Sequence, residues 1–277
     1  MKAQSGTVVF NSAGGFVPKL AGVCLQCINN FDLPCALNLY LTNVGQKVSA
    51  PPHTDKQDVF VLQTQGQKHW RVFAPPPPNR MPRADPLARG KGTDNLSLNE
   101  LEKPLIDVTL SPGNILYIPA GFPHTTDTVN GITMNSDPSV HLTVGIDTHI
   151  WDLNYAGLRK NILKKLNIND KSNIMSLNSD VFWDLQSCLP LGFLNGFQSD
   201  KITIQTEIYK EIQNKIKALE PDILSSVGTD AIVTMCAEKV MDHHRTTTDI
   251  FGQMYADVCM KISPAQFDLS YFRSKVL

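Results

Sequence analysis

The sequence predicts an α+β protein in which a β-rich first half forms a barrel or sandwich and a helical second half follows it. Two observations support this prediction. Up to about residue 150, short β-branched and aromatic runs alternate with glycine turns. After Trp151 the apolar residues recur with the spacing of an α-helix. We therefore expect one domain over 1–150 and a helical region after it.

Five short runs in the first half have the composition of β-strands. They are residues 37–42, 58–63, 69–73, 114–118 and 140–144. The turn signals between them are Gly45, Gly66, Pro112, Gly113 and Gly121. The stretch between Phe73 and Leu105 opens with four prolines and carries several basic residues. We expect a surface loop there, which is either a tolerated insertion or a substrate-facing segment.

Apolar residues in the second half keep a period of three to four. The series are Leu153, Leu158, Ile162, Leu163 and Leu166; Ile208, Ile212, Ile216 and Leu219; and Ile232, Val233, Cys236 and Val240. An amphipathic helical region over 151–245 favours an oligomerisation or docking module, here a homodimer interface. Alternatively, the same helices pack onto the barrel of their own chain. His243 and His244 fit a solvated helix end.

The 277 residues carry 25 Lys and Arg against 26 Asp and Glu, and 42% are hydrophobic. This composition is that of a soluble protein with enough apolar surface for a core. The balanced charge offers no general basic field for a polyphosphate, so we expect no direct nucleic-acid binding. We also expect no membrane role, because no run approaches the roughly 18 apolar residues that a spanning helix needs.

Six cysteines are too few for a disulfide-stapled secreted scaffold of this length, so a reducing compartment is expected. Cys24 and Cys27 form a C-x-x-C motif that Cys35 follows, and such a motif can begin a zinc or redox site. Because no second motif completes it, we interpret these cysteines as structural.

The tripeptide His53-Thr54-Asp55 is the first candidate for chemistry. On an extended segment, side chains two positions apart point to the same side, and Pro51-Pro52 favours extended backbone here. An imidazole nitrogen and a carboxylate oxygen can then occupy two neighbouring positions on one metal ion. By itself the H-x-D pattern is weak, because it is common by chance.

His124 is the candidate third ligand, reached through a turn, a strand and a proline- and glycine-rich approach over 112–123. Two histidines and one carboxylate form the facial triad that suits Fe(II), since three open positions admit an organic cosubstrate and O₂. His141 has no adjacent carboxylate, and we interpret it as a pocket or core histidine. His69 is expected to face away from Lys68 on the same strand.

The order of these parts resembles a known family, the JmjC-domain cupin-type 2-oxoglutarate/Fe(II) oxygenases of the ribosomal oxygenase group. The matching parts, over about residues 37–147, are His53-Thr54-Asp55, residues 59–63, Gly66, Lys68, Trp70-Arg71 and residues 113–124. The resemblance implies a double-stranded β-helix, the cupin or jelly-roll fold, followed by a helical dimerisation-type domain.

The resemblance also implies roles for particular residues. His53, Asp55 and His124 would be the iron ligands, and Lys68 would pair with the far carboxylate of 2-oxoglutarate. Such a cation has a physical reason, since a buried carboxylate without a partner is costly. Polar residues at positions that line the pocket in the family are Asn38, Tyr40 and Ser139.

The sequence departs from the family at both ends. The family carries well over a hundred residues before the H-x-D pair, whereas 52 precede it here. We therefore expect a short or truncated N-terminal part with an unpaired sheet edge. The family also continues into a winged-helix-like domain, so residues 246–277 are expected to be a remnant of it.

The resemblance implies an Fe(II)- and 2-oxoglutarate-dependent dioxygenase. Its expected reaction is hydroxylation of a histidyl or arginyl side chain of a ribosomal protein, or demethylation of a histone lysine. The expected compartment is the nucleus or nucleolus, with the cytoplasm possible and secretion excluded. Two other functions stay open: a dimeric binding scaffold with a vestigial barrel, and another metal-dependent cupin enzyme using Mn, Ni or Zn.

Overall fold

The computed structural model describes residues 6–31, 33–75, 96–130, 137–146, 154–169, 179–187 and 247–261. The strands in these ranges are β1 (Thr7–Phe10), β2 (Cys35–Thr42), β3 (Ala50–His53), β4 (Asp58–Gln65), β5 (Lys68–Val72), β6 (Ile106–Leu110), β7 (Ile115–Ile118), β8 (His124–Asp127) and β9 (Ser139–Ile146). The α-helices are α1 (Pro18–Phe31), α2 (Tyr155–Lys165), α3 (Ser179–Gln186) and α4 (Gln253–Lys261).

The strands form two antiparallel sheets. The larger sheet has the order β1-β2-β9-β4-β7, and the smaller sheet has the order β3-β8-β5-β6. In both sheets strands distant in the sequence are neighbours, as when β9 lies between β2 and β4. Two antiparallel sheets with these crossovers form the cupin-type jelly-roll that the resemblance implies.

Alternating side chains divide the larger sheet into two faces. On β2, Leu37 joins the core under α1, whereas Tyr40 lines an internal cavity and Thr42 contacts Lys68 within it. The second core cluster lies between the two sheets and consists of Val59, Val61, Trp70, Val72, Leu110, Leu116 and Ile118. The sheets therefore enclose both a packed core and a cavity.

Helix α1 covers the outer face of the larger sheet. It begins at Pro18, a residue suited to the first helical position, and buries Ala21, Cys24 and Ile28 at helical spacing. Helix α4 packs beside it, where the Tyr255 hydroxyl donates a hydrogen bond to the Cys35 carbonyl at 2.8 Å. Tyr155 of α2 and Leu185 of α3 belong to the same core cluster. The described helices of the second half thus share a core with the sheet.

The five strands predicted from composition are confirmed as β2, β4, β5, β7 and β9. Four strands were not predicted, namely β1, β3, β6 and β8, although the double proline indicated extended backbone at β3. The predicted glycine turns are also confirmed, since Gly45, Gly66, Gly113 and Gly121 have positive φ angles. Strand β1 lies at the edge of the larger sheet with exposed Val8, Val9 and Phe10.

Only part of the helical region predicted from sequence lies within the described residues. Leu158, Ile162 and Leu163 lie in α2. The series at 208–219 and 232–240, together with His243 and His244, falls outside the described residues. The domain divisions at 150 and 245 and the dimerisation role stay predictions. None of the helices in the described ranges is long and apolar enough to cross a membrane.

Candidate metal centre

His53 and His124 lie directly opposite each other on neighbouring strands of the smaller sheet. His53 is the last residue of β3, His124 is the first residue of β8, and the two are register partners in the antiparallel ladder. Side chains opposite one another in such a ladder are close, and here the ring centroids are 4.3 Å apart. Strand pairing therefore fixes the distance between the two imidazoles.

Asp55 completes a three-residue group. It follows the end of β3 by two residues, and its Oδ2 lies 3.8 Å from His53 Nε2 and 3.6 Å from His124 Nε2. One potential ligand atom from each residue lies within 4.8 Å of the others. Across the described ranges, this is the one group of three His, Cys, Asp or Glu side chains that meets this distance.

Backbone carbonyls set the tautomer of both histidines. His53 Nδ1 lies 2.8 Å from the Pro51 carbonyl oxygen, and His124 Nδ1 lies 3.1 Å from the Phe122 carbonyl oxygen. A carbonyl only accepts hydrogen bonds, so each Nδ1 carries the proton and donates it. Each Nε2 then lies on the side of Asp55, where the unprotonated nitrogen of an imidazole can bind a metal.

Hydrogen bonds hold the turn before His124 against Asp55, in the segment between β3 and β4, and against Asp58 of β4. The Gly121 N–H donates to the Asp55 carbonyl at 2.9 Å, and the Ala120 N–H donates to Asp58 Oδ1 at 3.2 Å. The Tyr117 hydroxyl donates to the same Asp58 oxygen at 2.9 Å. Gly121 has a φ of 81°, a conformation that other residues adopt only with strain. This turn therefore fixes the position of His124 relative to Asp55.

The three side chains open into a cavity of about 290 Å³ between the two sheets. A cavity of this volume is at the lower end of the range for small-molecule sites. The edge strand β1 contributes Thr7 and Val9 to its wall. The other lining residues are Tyr40, Ser49, Ala50, Pro51, Val59, Lys68, Trp70, Thr126, His141 and Thr143.

Lys68 is the cation inside this cavity. It begins β5 and is only 2% exposed. Its Nζ donates to Thr42 Oγ1 at 3.1 Å and lies 5.9 Å from the centre of the Trp70 ring. Burial lowers the pKa of Lys68 to about 7, because a desolvated ammonium is destabilised relative to the neutral amine. An anion entering the cavity would restore the charge on this side chain.

His141 lies beside Lys68 rather than at the metal centre. Its ring stacks on Tyr40 with centroids 4.7 Å apart. The Trp70 ring lies nearly perpendicular to it, with centroids 5.4 Å apart. Burial, followed by the charge of Lys68, lowers the pKa of His141 well below its usual range, so the ring is neutral. Its buried Nδ1 has no hydrogen-bond partner among the described residues. His141 is therefore a pocket histidine, in agreement with the interpretation from sequence.

The remaining pocket candidates differ in position. Tyr40 lines the cavity, but Asn38 and Ser139 are not among the described residues that line it. The Asn38 side chain instead accepts a hydrogen bond from the Ser12 N–H at 2.8 Å. Ser139 Oγ accepts from Gln63 Nε2 at 3.0 Å and is fully buried. In this structure Asn38 therefore binds a backbone N–H, and Ser139 of β9 links its strand to Gln63 of β4.

His69 faces away from Lys68, as the alternation along β5 predicts. Its Nδ1 lies 2.7 Å from Asp127 Oδ2, and its Nε2 lies 2.7 Å from Asp107 Oδ1. Each ring nitrogen thus lies within hydrogen-bond distance of a carboxylate oxygen. His69 therefore links strands β5, β6 and β8 on the outer face of the smaller sheet.

Three functional neighbours were missed from sequence. Thr42 holds Lys68, Trp70 lines the cavity beside it, and Asp58 anchors the turn before His124. Thr42 lies two residues beyond Tyr40 on one strand, so alternation alone was enough to assign it to the same face. The partners of Asp58 come from a distant strand, and no local signal indicates them.

The fold and the centre define a cupin-type domain with a His-Asp-His candidate metal site inside its jelly-roll. Residues 17–152 match the family described as JmjC domain. Residues 17–152 are therefore similar to a JmjC domain, which confirms the resemblance identified from the motifs.

Curated relatives carry the name bifunctional lysine-specific demethylase and histidyl-hydroxylase NO66. The protein from Aedes aegypti is 26% identical over 82% of this chain and 33% of its own length. That from Culex quinquefasciatus is 30% identical over 73% of this chain and 28% of its own length. That from Drosophila melanogaster is 34% identical over 47% of this chain and 18% of its own length. The chain thus spans about a third or less of the length of these relatives.

Solved structures of the Escherichia coli ribosomal oxygenase YcfD are also similar. One has a TM-score of 0.37 and 17% identity, covering 79% of this chain and 48% of that chain. A YcfD structure in complex with cobalt and 2-oxoglutarate has a TM-score of 0.35 and 18% identity, covering 76% of this chain and 51% of that chain. The fold assignment here rests on the sheet topology and the family match.

Proposed function

We propose that this chain is an Fe(II)- and 2-oxoglutarate-dependent protein oxygenase. The observation that supports the proposal is the geometry of His53, Asp55 and His124, whose ligand atoms lie within 4.8 Å of one another beside a cavity that contains a buried lysine. Its substrate class is a protein side chain, either a histidyl or arginyl residue of a ribosomal protein or a methylated histone lysine.

The donor set fits a ferrous ion. Two imidazoles, each held at Nδ1 by a backbone carbonyl, and one carboxylate form the donor set of a non-haem Fe(II) centre. The carbonyls of Pro51 and Phe122 orient the two rings before any metal arrives, which reduces the cost of ordering them. Three protein ligands leave coordination positions for a cosubstrate and O₂.

Lys68 fits the second carboxylate of 2-oxoglutarate. An α-keto acid bound to the metal through one end leaves its other carboxylate in the cavity, where an uncompensated charge is costly. Lys68 Nζ has further hydrogen-bond donors besides the one directed to Thr42, and Trp70 beside it excludes water from the pair. Ferrous iron, 2-oxoglutarate and O₂ together supply an oxidant that hydroxylates an unactivated C–H bond.

A polypeptide substrate has a route to this cavity along two edge strands. Thr7 and Val9 of β1 line one side, and Ala50 and Pro51 of β3 line another. Both strands lie at the edge of their sheets, and Val8 and Phe10 expose further apolar surface on β1. Exposed edges of this kind accept an extended chain through backbone hydrogen bonds. We propose that the substrate segment docks there.

The choice among target side chains rests on the family. The names of the NO66 relatives join lysine demethylation and histidyl hydroxylation, and both require the same oxidation of a C–H bond. We propose a nuclear or nucleolar protein that forms homodimers through its helical region over 151–245. Light scattering on the purified chain tests the dimer, and a monomer at micromolar concentration would contradict it.

Another metal-dependent cupin enzyme is the second candidate, and Lys68 argues against it. An isomerase or hydrolase that binds a metal through the same three residues has no need of a buried cation for a second carboxylate. A glutamine in place of Lys68 would leave such an activity intact but would abolish turnover of 2-oxoglutarate.

Conversion of 2-oxoglutarate to succinate tests the proposal. The purified chain is incubated with Fe(II), ascorbate and peptides from ribosomal proteins and histones, and mass spectrometry follows both succinate and peptide oxidation. We expect turnover that His53→Ala abolishes and that His69→Gln, which lies on the outer face of the sheet, retains. Equal turnover by the parent and His53→Ala, or none by the parent with any peptide, would refute the proposal.

A further inference from the structure

Three cysteines from α1 and β2 lie together on the outer face of the larger sheet. Cys24 and Cys35 are buried in the core there, whereas Cys27 packs at its margin and is partly exposed. All three are free thiols. The Cys35 thiol donates to the Cys24 carbonyl at 3.5 Å, and Cys27 follows Cys24 by about one turn of α1, so all three side chains pack in one place. The C-x-x-C motif and the third cysteine therefore form one cluster.

Cys27 at the margin of this cluster and the buried Cys35 differ chemically. A hydrogen bond from Cys35 lowers the pKa of Cys27 to about 7, although burial opposes the shift. Cys24, then Cys27 and burial, raise the pKa of Cys35. Cys27, the partly exposed thiol, therefore ionises more readily than Cys35. The thiolate is the nucleophilic form of cysteine.

Solvent reaches Cys27 but not its two neighbours. Cys27 lines an open groove on α1 together with Lys19, Gln26 and Asn30. Helix α1 contains no acidic residue, so no carboxylate on that helix opposes a thiolate there. A small oxidant can enter the groove, react at Cys27, and leave Cys35 in contact beneath it.

We propose that Cys27 and Cys35 form a reversible disulfide modification site for hydroperoxides. The Cys27 thiolate attacks the terminal oxygen of the hydroperoxide, breaks the O–O bond and becomes a sulfenic acid, and the leaving hydroxide or alkoxide takes a proton from water. The Cys35 thiol then attacks the sulfenic sulfur, forming the S–S bond and releasing water. The two thiols lose two electrons in total, and the peroxide gains them.

This site is separate from the metal centre. Cys35 and Leu37 of β2 belong to the core under α1, whereas Tyr40 on the same strand lines the cavity. The larger sheet thus lies between the cysteines and the three candidate ligands. The proposal consequently holds whether or not the chain oxidises a protein substrate.

Stoichiometric hydrogen peroxide on the full chain tests the site. We expect the intact mass to fall by two hydrogens, peptide mapping to find a Cys27–Cys35 link, and dithiothreitol to reverse the change. Cys27→Ser abolishes the link, and Cys259→Ser, which changes a half-buried thiol on α4, retains it. His53→Ala also retains it, which separates this chemistry from any reaction at the metal centre.

A second variant traps the first step. Because Cys35 is buried, Cys35→Ala is first checked for folding by circular dichroism, and the folded protein should accumulate a sulfenic acid at Cys27 that dimedone labels. Unchanged thiols in the parent, a link that joins Cys24 to Cys35 instead, or dimedone labelling of a different cysteine would each overturn the proposal.

Discussion

Replacing Lys68 with methionine removes a charge from the cavity and keeps a side chain of similar length. Burial lowers the pKa of Lys68 from 10.5 to about 7. Each pKa unit corresponds to about 1.36 kcal/mol, so keeping this ammonium protonated inside the ligand-free protein costs about 5 kcal/mol. The substitution also removes the hydrogen bond to Thr42 and the contact with Trp70, which together contribute about 2 kcal/mol.

The expected result is a ligand-free Lys68→Met protein that is more stable than the parent by about 3 kcal/mol at pH 7. The pH dependence follows from the sign of the shift. The folded pKa lies below the unfolded one, so the penalty is complete below about pH 7. It decreases by about 1.36 kcal/mol per pH unit above pH 7, because the folded amine is then already neutral. The difference between the proteins therefore shrinks between pH 7 and pH 10.

Urea denaturation from pH 6 to pH 9 measures this difference, with Lys47→Met as the control at an exposed lysine. The Lys68→Met substitution stabilises the ligand-free protein, but we expect it to weaken the binding of 2-oxoglutarate in the presence of Mn(II). The parent binds it with uptake of a proton above pH 7, and Lys68→Met binds it at least about 100-fold more weakly, because a buried carboxylate loses its partner. A destabilised Lys68→Met protein, or one that binds 2-oxoglutarate as the parent does, would refute this reasoning.

Three further substitutions test other parts of the molecule. Gly121→Ala introduces a side chain at a φ of 81°. We expect urea denaturation to show that the free energy of unfolding falls by about 1–2 kcal/mol, and we expect weaker metal binding. Unchanged metal affinity would contradict the role of this turn. Val9→Glu adds a charge at the cavity wall on β1. We expect slower peptide oxidation, with a 2-oxoglutarate affinity that calorimetry shows to be unaltered. An equal loss of oxidation rate and affinity would argue against peptide docking on this strand. His69→Gln breaks the bridge between Asp107 and Asp127, and we expect a loss of about 1.5–3 kcal/mol in thermal unfolding with normal metal affinity; an unchanged melting temperature would show that the bridge adds nothing.

The predicted strand β4 has an apolar signal that the missed strand β8 lacks. Residues 59–62 read Val-Phe-Val-Leu, a short apolar run with two β-branched side chains, and β4 is found there. Strand β8 reads His-Thr-Thr-Asp, and all four residues are buried. Its burial comes from strands β3 and β5 on either side, and no apolar pattern in its own sequence indicates it.

The site was predicted in part for a similar reason. His53 and Asp55 are local neighbours, so their shared orientation follows from backbone geometry alone. That His124 pairs directly with His53 depends on the register between β3 and β8, which the sequence does not reveal without the family resemblance. Asn38 was expected in the pocket but binds the Ser12 N–H, a contact fixed by the turn that precedes α1.

Calorimetric titration with Co(II), a redox-stable substitute for Fe(II), tests the central assignment most directly. We expect one ion per chain in the parent and at least about 100-fold weaker binding in His53→Ala, Asp55→Ala and His124→Ala, because each variant removes a ligand. His141→Ala is the matched control, since it removes a buried histidine from the same cavity without removing a ligand. Strong binding that survives His124→Ala but is lost in His141→Ala would contradict the account.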